Sequence, residues 1–258
     1  MLRGIDHIVI LVDKLDQAVQ TYTDVGFTVV PGGEHTGGAT HNALVAFQDN
    51  SYLELIAFKR PDPGHRWSGK WPGIVDFALL PDAIADDLDA ARRRGVDYQG
   101  PLPGGRLRPD GQQVDWQLGL PPAPGLPFLC GDVTPRALRV PSGAAQEHAN
   151  GALGVARVYV AVQDLVTSAA EYEALLGVHP ATGLADEARY ALFPIGSAQI
   201  HLAEPLESPA GQGSRLNTVL TTRGEGIYSI ALRSTAGPGA PSLEALEPTG
   251  AWLAWTAE

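Results

Sequence analysis

The sequence predicts an α+β protein built from repeated strand–helix–strand units. Three observations predict it. Residues 4–27, GIDHIVILVDKLDQAVQTYTDVGF, align without a gap on residues 73–96, GIVDFALLPDAIADDLDAARRRGV, at a shift of 69. Within each copy a short apolar run (5–12 and 74–80) has strand length, and an amphipathic stretch follows it. The 30 glycines and 21 prolines among 258 residues call for many turns and short strands, which disfavours a helical bundle.

The elements follow in order. Leu15, Val19 and Tyr22 share one helical face, as do Ile84, Leu88 and Ala91. Asp13 and Asp82 stand where a carboxylate can cap the helix that follows. Gly26 and Gly95 stand where a helix turns back through a left-handed residue. A shift of 150 gives a third copy, in which Tyr22 meets Tyr172, and a shift of 222 places Gly4-Ile5 on Gly226-Ile227. Helices are expected near residues 14–25, 82–94 and 164–176. Further strands are expected at 27–30, 43–47, 52–58, 114–118, 128–130, 190–193 and 199–203. The run Gly100–Gly105 reads as a Pro-interrupted turn. The expected organisation is a first half over 1–135 (units 1–69 and 70–135), a linker over 136–151, and a second half over 152–258 with a truncated last unit.

Composition excludes several function classes. The net charge of −11, from 18 basic and 29 acidic residues, repels duplex DNA and anionic membranes, so neither is an expected partner. The only basic run, Arg92-Arg93-Arg94, closes a helix that begins with acids. The single cysteine, Cys130, forms no intramolecular disulfide and reads as buried packing. The run Ile8–Val12 is too short for a signal core or a span, so the expected compartment is the cytoplasm. There is no phosphate loop, dinucleotide fingerprint or nucleophile elbow.

Asp6-His7-Ile8-Val9, Thr40-His41-Asn42-Ala43-Leu44 and Ser51-Tyr52-Leu53-Glu54-Leu55-Ile56 resemble the glyoxalase-like domain group of the vicinal-oxygen-chelate superfamily, which also holds bleomycin-resistance proteins and extradiol dioxygenases. The resemblance covers roughly residues 4–205. It implies repeated βαβββ units forming curved, cup-like mixed sheets with helices outside. It also implies a divalent metal held by first-strand and last-strand side chains of paired units. Those family positions fall on His7 and Glu54, and the 69-residue shift sets Asp76 opposite His7. The second unit's last strand offers Cys130 or Asp132 in unsettled register.

A neutral imidazole with carboxylates suits zinc, iron(II), manganese or nickel. The same trio is also compatible with a metal-free hydrogen-bonded cluster that binds a polar ligand. His41, Asn42, Trp116 and Phe128 are the expected substrate contacts; Trp67 and Trp71 are further candidates for an apolar wall or plain core. His35 and His65 read as surface loop residues. In the second half the metal positions carry Arg157, His201 and Ser229, a poor ligand set. Two functions stay open. One is a metal-assisted lyase, isomerase or oxygenase acting on a carbonyl or vicinal-oxygen substrate, with Glu54 as ligand and base. The other is a non-catalytic protein sequestering a small molecule. A structural fragment of a larger assembly is a weaker third, and a homodimer is compatible with the sequence.

Overall fold

A computed structural model describes residues 1–185, 188–206, 215–235 and 242–256. In the first half, β1 (Gly4–Leu11), α1 (Leu15–Asp24), β2 (Val30–His35), β3 (Thr40–Ala46) and β4 (Tyr52–Phe58) make one unit. Then β5 (Gly73–Leu80), α2 (Ile84–Arg93), β6 (Gln99–Leu107), β7 (Gln113–Leu120) and β8 (Phe128–Asp132) repeat it. The eight strands close into a barrel in the order β1-β4-β3-β2-β6-β7-β8-β5. Antiparallel pairing of β1 with β5 joins the units. It sets His7 beside Ala78 and Val9 beside Asp76. Each residue thus faces its neighbour's counterpart under the 69-residue shift, the register of a local twofold.

A connection carrying α3 (Arg136–Arg139) leads to the second half. There β9 (Ala152–Ala161), α4 (Leu165–Leu176), β10 (Ala181–Ala185), β11 (Ala188–Ile195) and β12 (Ala198–Pro205) form a third unit. After α5 (Arg215–Arg223) come β13 (Gly226–Ser234) and β14 (Leu253–Thr256). These strands make an open six-stranded sheet, ordered β10-β11-β12-β9-β13-β14. The parallel pair β13–β14 matches β5–β8. Among the described residues no strand of this sheet stands where β6 and β7 stand in the barrel.

One apolar cluster joins the halves. Ile8, Ile10, Leu53 and Leu55 from the barrel pack with Leu88 and Tyr172 from the helices and with Val158, Ile200 and Ile230 from the second sheet. Each fully buried aliphatic side chain contributes about 1.5–3 kcal/mol. Arg94 reinforces the joint by donating to the carbonyls of Ala174 and Leu175 at the end of α4, where a cation also suits the helix dipole. No described helix is long and apolar enough to cross a membrane.

Some local expectations are corrected. Neither Asp13 nor Asp82 caps its helix: Lys14 and Ala83 hold the cap positions with no side-chain bond. Asp82 pairs with Arg3 instead, and Asp87 accepts from the Asp82 and Ala83 amides. Asp164 does cap α4, accepting from Val166 and Thr167. The strand expected at 27–30 starts at Val30 and runs through the glycines to His35. Gly100–Gly105 lies inside β6. Gly26 and Gly95 do adopt positive φ, 88° and 94°.

Candidate functional site inside the first barrel

Strand alternation builds the site. Leu53 and Leu55 pack into the helix-side core, so Glu54 between them projects into the barrel, where it is 5% exposed. The parallel register of β1 on β4 brings His7 alongside. Nε2 of His7 lies 3.5 Å from one Glu54 oxygen, and Nε2 of His35 lies 3.3 Å from the other. Asn42, reaching across from β3, donates to Glu54 at 2.6 Å. Burial alone would raise the Glu54 pKa; His35, His7 and Asn42 outweigh it and bring it down to about 2. Glu54 is therefore a carboxylate throughout the working range.

His7 is fixed from behind. Its Nδ1 lies 2.6 Å from Asp6, and its ring stacks on Tyr52 with centroids 4.7 Å apart. Asp6 in turn holds a bidentate pair with Arg139, at 2.7 and 2.9 Å, and a further contact with Arg136 at 2.6 Å. Burial would raise Asp6, but Arg139, His7 and Arg136 hold it well below the usual carboxylate range. An ionised Asp6 accepts from Nδ1 and so orients the ring with its Nε2 edge toward Glu54.

These side chains line a cavity of about 450 Å³, a volume within the usual range for small-molecule sites. Its apolar wall includes Trp67, Trp116, Leu118 and Phe128. Trp116 packs so closely on Gly104 that a Cβ there would fall 2.3 Å from its indole nitrogen. The segment between β4 and β5 contributes Arg60, Asp62, His65 and Arg66 to the lining.

The expected residues divide. His7 and Glu54 converge, Asn42 orients Glu54, and Trp116 and Phe128 line the cavity. Asp76 does not join them: it accepts from Trp67 at 2.9 Å and pairs with Arg66 at 2.6 Å. His41 is not part of the cavity lining, because it alternates with Thr40 and Asn42 and so takes the other face of β3. Trp71 is 70% exposed and walls nothing.

The register also settles the second unit's last strand. Val9 pairs with Glu54, and its counterpart Ala78 pairs with Phe128, so Phe128 occupies the Glu54 position rather than Cys130 or Asp132. Sequence reading missed His35, which ends β2 and belongs to the site, and His65, which lines the cavity. It also missed Arg106 on β6 and Arg139 on α3.

Two side-chain sets bear on metal binding. The potential ligand atoms of Asp6, His7 and Cys130 lie within 4.8 Å of one another. This set fits poorly, because both Asp6 oxygens are committed to arginines and burial pushes the Cys130 thiol up, keeping its proton. In the set His7, Glu54 and His35 the two imidazole Nε2 atoms approach different oxygens of an ionised carboxylate, at 3.5 and 3.3 Å, and His7 carries the carboxylate behind it that orients metal-bound histidines, but the ligand atoms are spread more widely than those of Asp6, His7 and Cys130.

In the second sheet, β9 pairs with β12 so that Tyr159 meets His201, which puts His201 at the Glu54 position. Its ring stands 5.0 Å from that of Tyr159. Burial and Arg157 bring its pKa down to about 4, so it is neutral at pH 7.

Comparison with known proteins completes the picture. No curated protein matches the chain. A hypothetical protein from Staphylococcus aureus shares the fold over 100% of both chains, with TM-score 0.74 and 14% identity. A mutant of 4-hydroxymandelate synthase from Streptomyces coelicolor matches 97% of this chain and 76% of its own, with TM-score 0.64 and 16% identity. A fusion of a xylose isomerase-like TIM barrel with 4-hydroxyphenylpyruvate dioxygenase matches 91% of this chain but 37% of its own, with TM-score 0.55 and 15% identity. The glyoxalase-like domain matches residues 5–176. The chain belongs to the glyoxalase-like domain family.

Proposed function

We propose that the first barrel is the working site of a metal-dependent enzyme that takes a small molecule carrying a carbonyl or two vicinal oxygens. The observation that carries this reading is the line Asp6–His7–Glu54, in which a buried carboxylate aims the Nε2 of a histidine at a second, ionised carboxylate. His7, Glu54 and His35 are the residues that would hold a divalent cation such as zinc, iron(II), manganese or nickel. When bound, that cation would polarise a substrate oxygen and offset the charge that builds on it. Asn42 would hold Glu54 in place, and Oε2 of Glu54 would be the atom that takes a substrate proton. Trp116 and Phe128 would exclude water from the reacting end.

The test is calorimetric titration of zinc(II) into metal-free protein. The expected result is one site per chain, weakened at least about tenfold, or about 1.4 kcal/mol, in His7→Ala. A wild-type protein that takes up no zinc(II), manganese(II), iron(II) or nickel(II) would contradict this reading.

A second reading has its own observation. The paired unit supplies Phe128 where the first supplies Glu54, and Arg66 sits 4.8 Å over that ring while neutralising Asp76. A protein that sequesters its small molecule without metal needs nothing more from that unit. Ligand binding that persists unchanged after exhaustive chelation would favour it.

A further inference from the structure

Among the described residues, Arg106 is a cation inside the barrel with no carboxylate paired to it. It stands on β6, beside His35 across the β2–β6 contact. It is 3% exposed and lines the cavity. Its Nη2 donates to the carbonyl of Arg139 at 2.8 Å. Its Nε is buried with no hydrogen-bond partner. Among the described residues no carboxylate lies within ion-pairing distance of it, in contrast to Arg66, Arg136 and Arg139 around the same barrel. Glu54 is near enough to be felt, but its oxygens already face Asn42 and two imidazoles. A guanidinium buried without a counter-charge is costly, and folded proteins rarely retain one unless something completes it.

We infer that Arg106 is the anchor for a carboxylate on the small molecule this barrel binds. A carboxylate fits the guanidinium at the cavity wall better than a neutral group does, because planar guanidinium donors match its two oxygens and the charge is returned to balance. With that end on Arg106, Trp116 and Phe128 line the same cavity and supply apolar aromatic surface to the body of the molecule. The ligand class is therefore a small aromatic or otherwise flat carboxylic acid. This assignment rests on the small-molecule reading of the barrel, but not on the metal.

The test uses phenylacetate and its neutral isostere phenylacetamide as probes on the full chain, with binding read by calorimetry. Phenylacetate should bind at least tenfold more tightly than phenylacetamide. Arg106→Gln should abolish that preference, and Arg106→Lys, which keeps the charge but not the planar donors, should retain only part of it. Thermal denaturation without ligand provides an independent readout. Arg106→Met should melt close to wild type, because removal of an unpaired buried charge offsets loss of the bond to the Arg139 carbonyl; a marked fall would show that Arg106 is a structural cation and overturn the assignment. Equal binding of the two probes, or undiminished phenylacetate binding by Arg106→Gln, would also overturn it. Tighter binding of phenyl phosphate than of phenylacetate would replace carboxylate by phosphoryl and equally refute the proposal. Zinc(II) titration of the same samples separates the two claims: zinc bound by Arg106→Gln as by wild type leaves the metal reading standing whatever the probes do, and zinc refused by wild type strikes that reading alone.

Discussion

The two halves use one strand plan for different ends. In the barrel, the β1–β4 pair carries His7 and Glu54 on an interior face, backed by Asp6 and two arginines. In the open sheet, the matching β9–β12 pair carries Arg157 and His201, and Ser229 stands at the Asp76 position. Both halves give their apolar faces to the same core. What separates them is the other face: a closed barrel creates an interior in which charges must be paired, whereas an open sheet leaves a face that water can reach. Among the described residues, a site with buried, mutually fixed charges therefore forms in the first half and not in the second.

Four experiments probe the difference between the halves. The largest effect is expected for Arg139→Leu. It strips the bidentate partner from a fully buried Asp6, which should cost about 3–5 kcal/mol in urea-induced unfolding. A loss below about 1 kcal/mol would mean that Arg136 alone suffices.

Next is the acid limb of stability. Glu54 has a folded pKa of about 2, below its ordinary 4.5, so its contribution is full above 4.5 and is lost as pH falls toward 2. Glu54→Gln should flatten that part of the stability curve by at most about 3 kcal/mol.

His201 acts in a higher window. Its folded pKa of about 4 lies below the ordinary 6.5, so the unfolded chain takes up the proton first. Stability is full above about 6.5 and falls as pH drops toward 4. His201→Gln should remove only a small slope there, since the ring is half-buried. A slope that persists in the variant would place its origin elsewhere.

The smallest effect tests the helix starts. Asp164→Ala should lower the melting temperature measurably, because it removes the cap of α4, whereas Asp13→Ala should not.

Much of this architecture could be read from residues alone. The ungapped match of 4–27 with 73–96 located two helices and their strands, because apolar spacing is kept wherever an element faces the core. Alternation through Tyr52-Leu53-Glu54-Leu55 was enough to aim Glu54 inward. The glycine- and proline-rich strands were illegible. Val30-Pro31-Gly32-Gly33-Glu34-His35 and Gln99–Leu107 show no alternation, so His35 looked like a loop residue and Arg106 gave no signal, although barrel closure makes strands of both segments. Arg139 carried no local signal, since its partner Asp6 lies 133 residues away. Asp76 was misjudged for a related reason: the shift gave its place, but not the claim on it by Arg66 and Trp67 from the preceding segment.

The central claim is that the barrel, and not the open sheet, holds the working site. Manganese(II) binding followed by electron paramagnetic resonance, in wild type, Glu54→Gln and His201→Ala side by side, tests it most directly. One bound ion is expected in wild type, an unchanged ion in His201→Ala, and at least about a tenfold loss of affinity in Glu54→Gln. Retention in Glu54→Gln with loss in His201→Ala would contradict it and move the site to the second half.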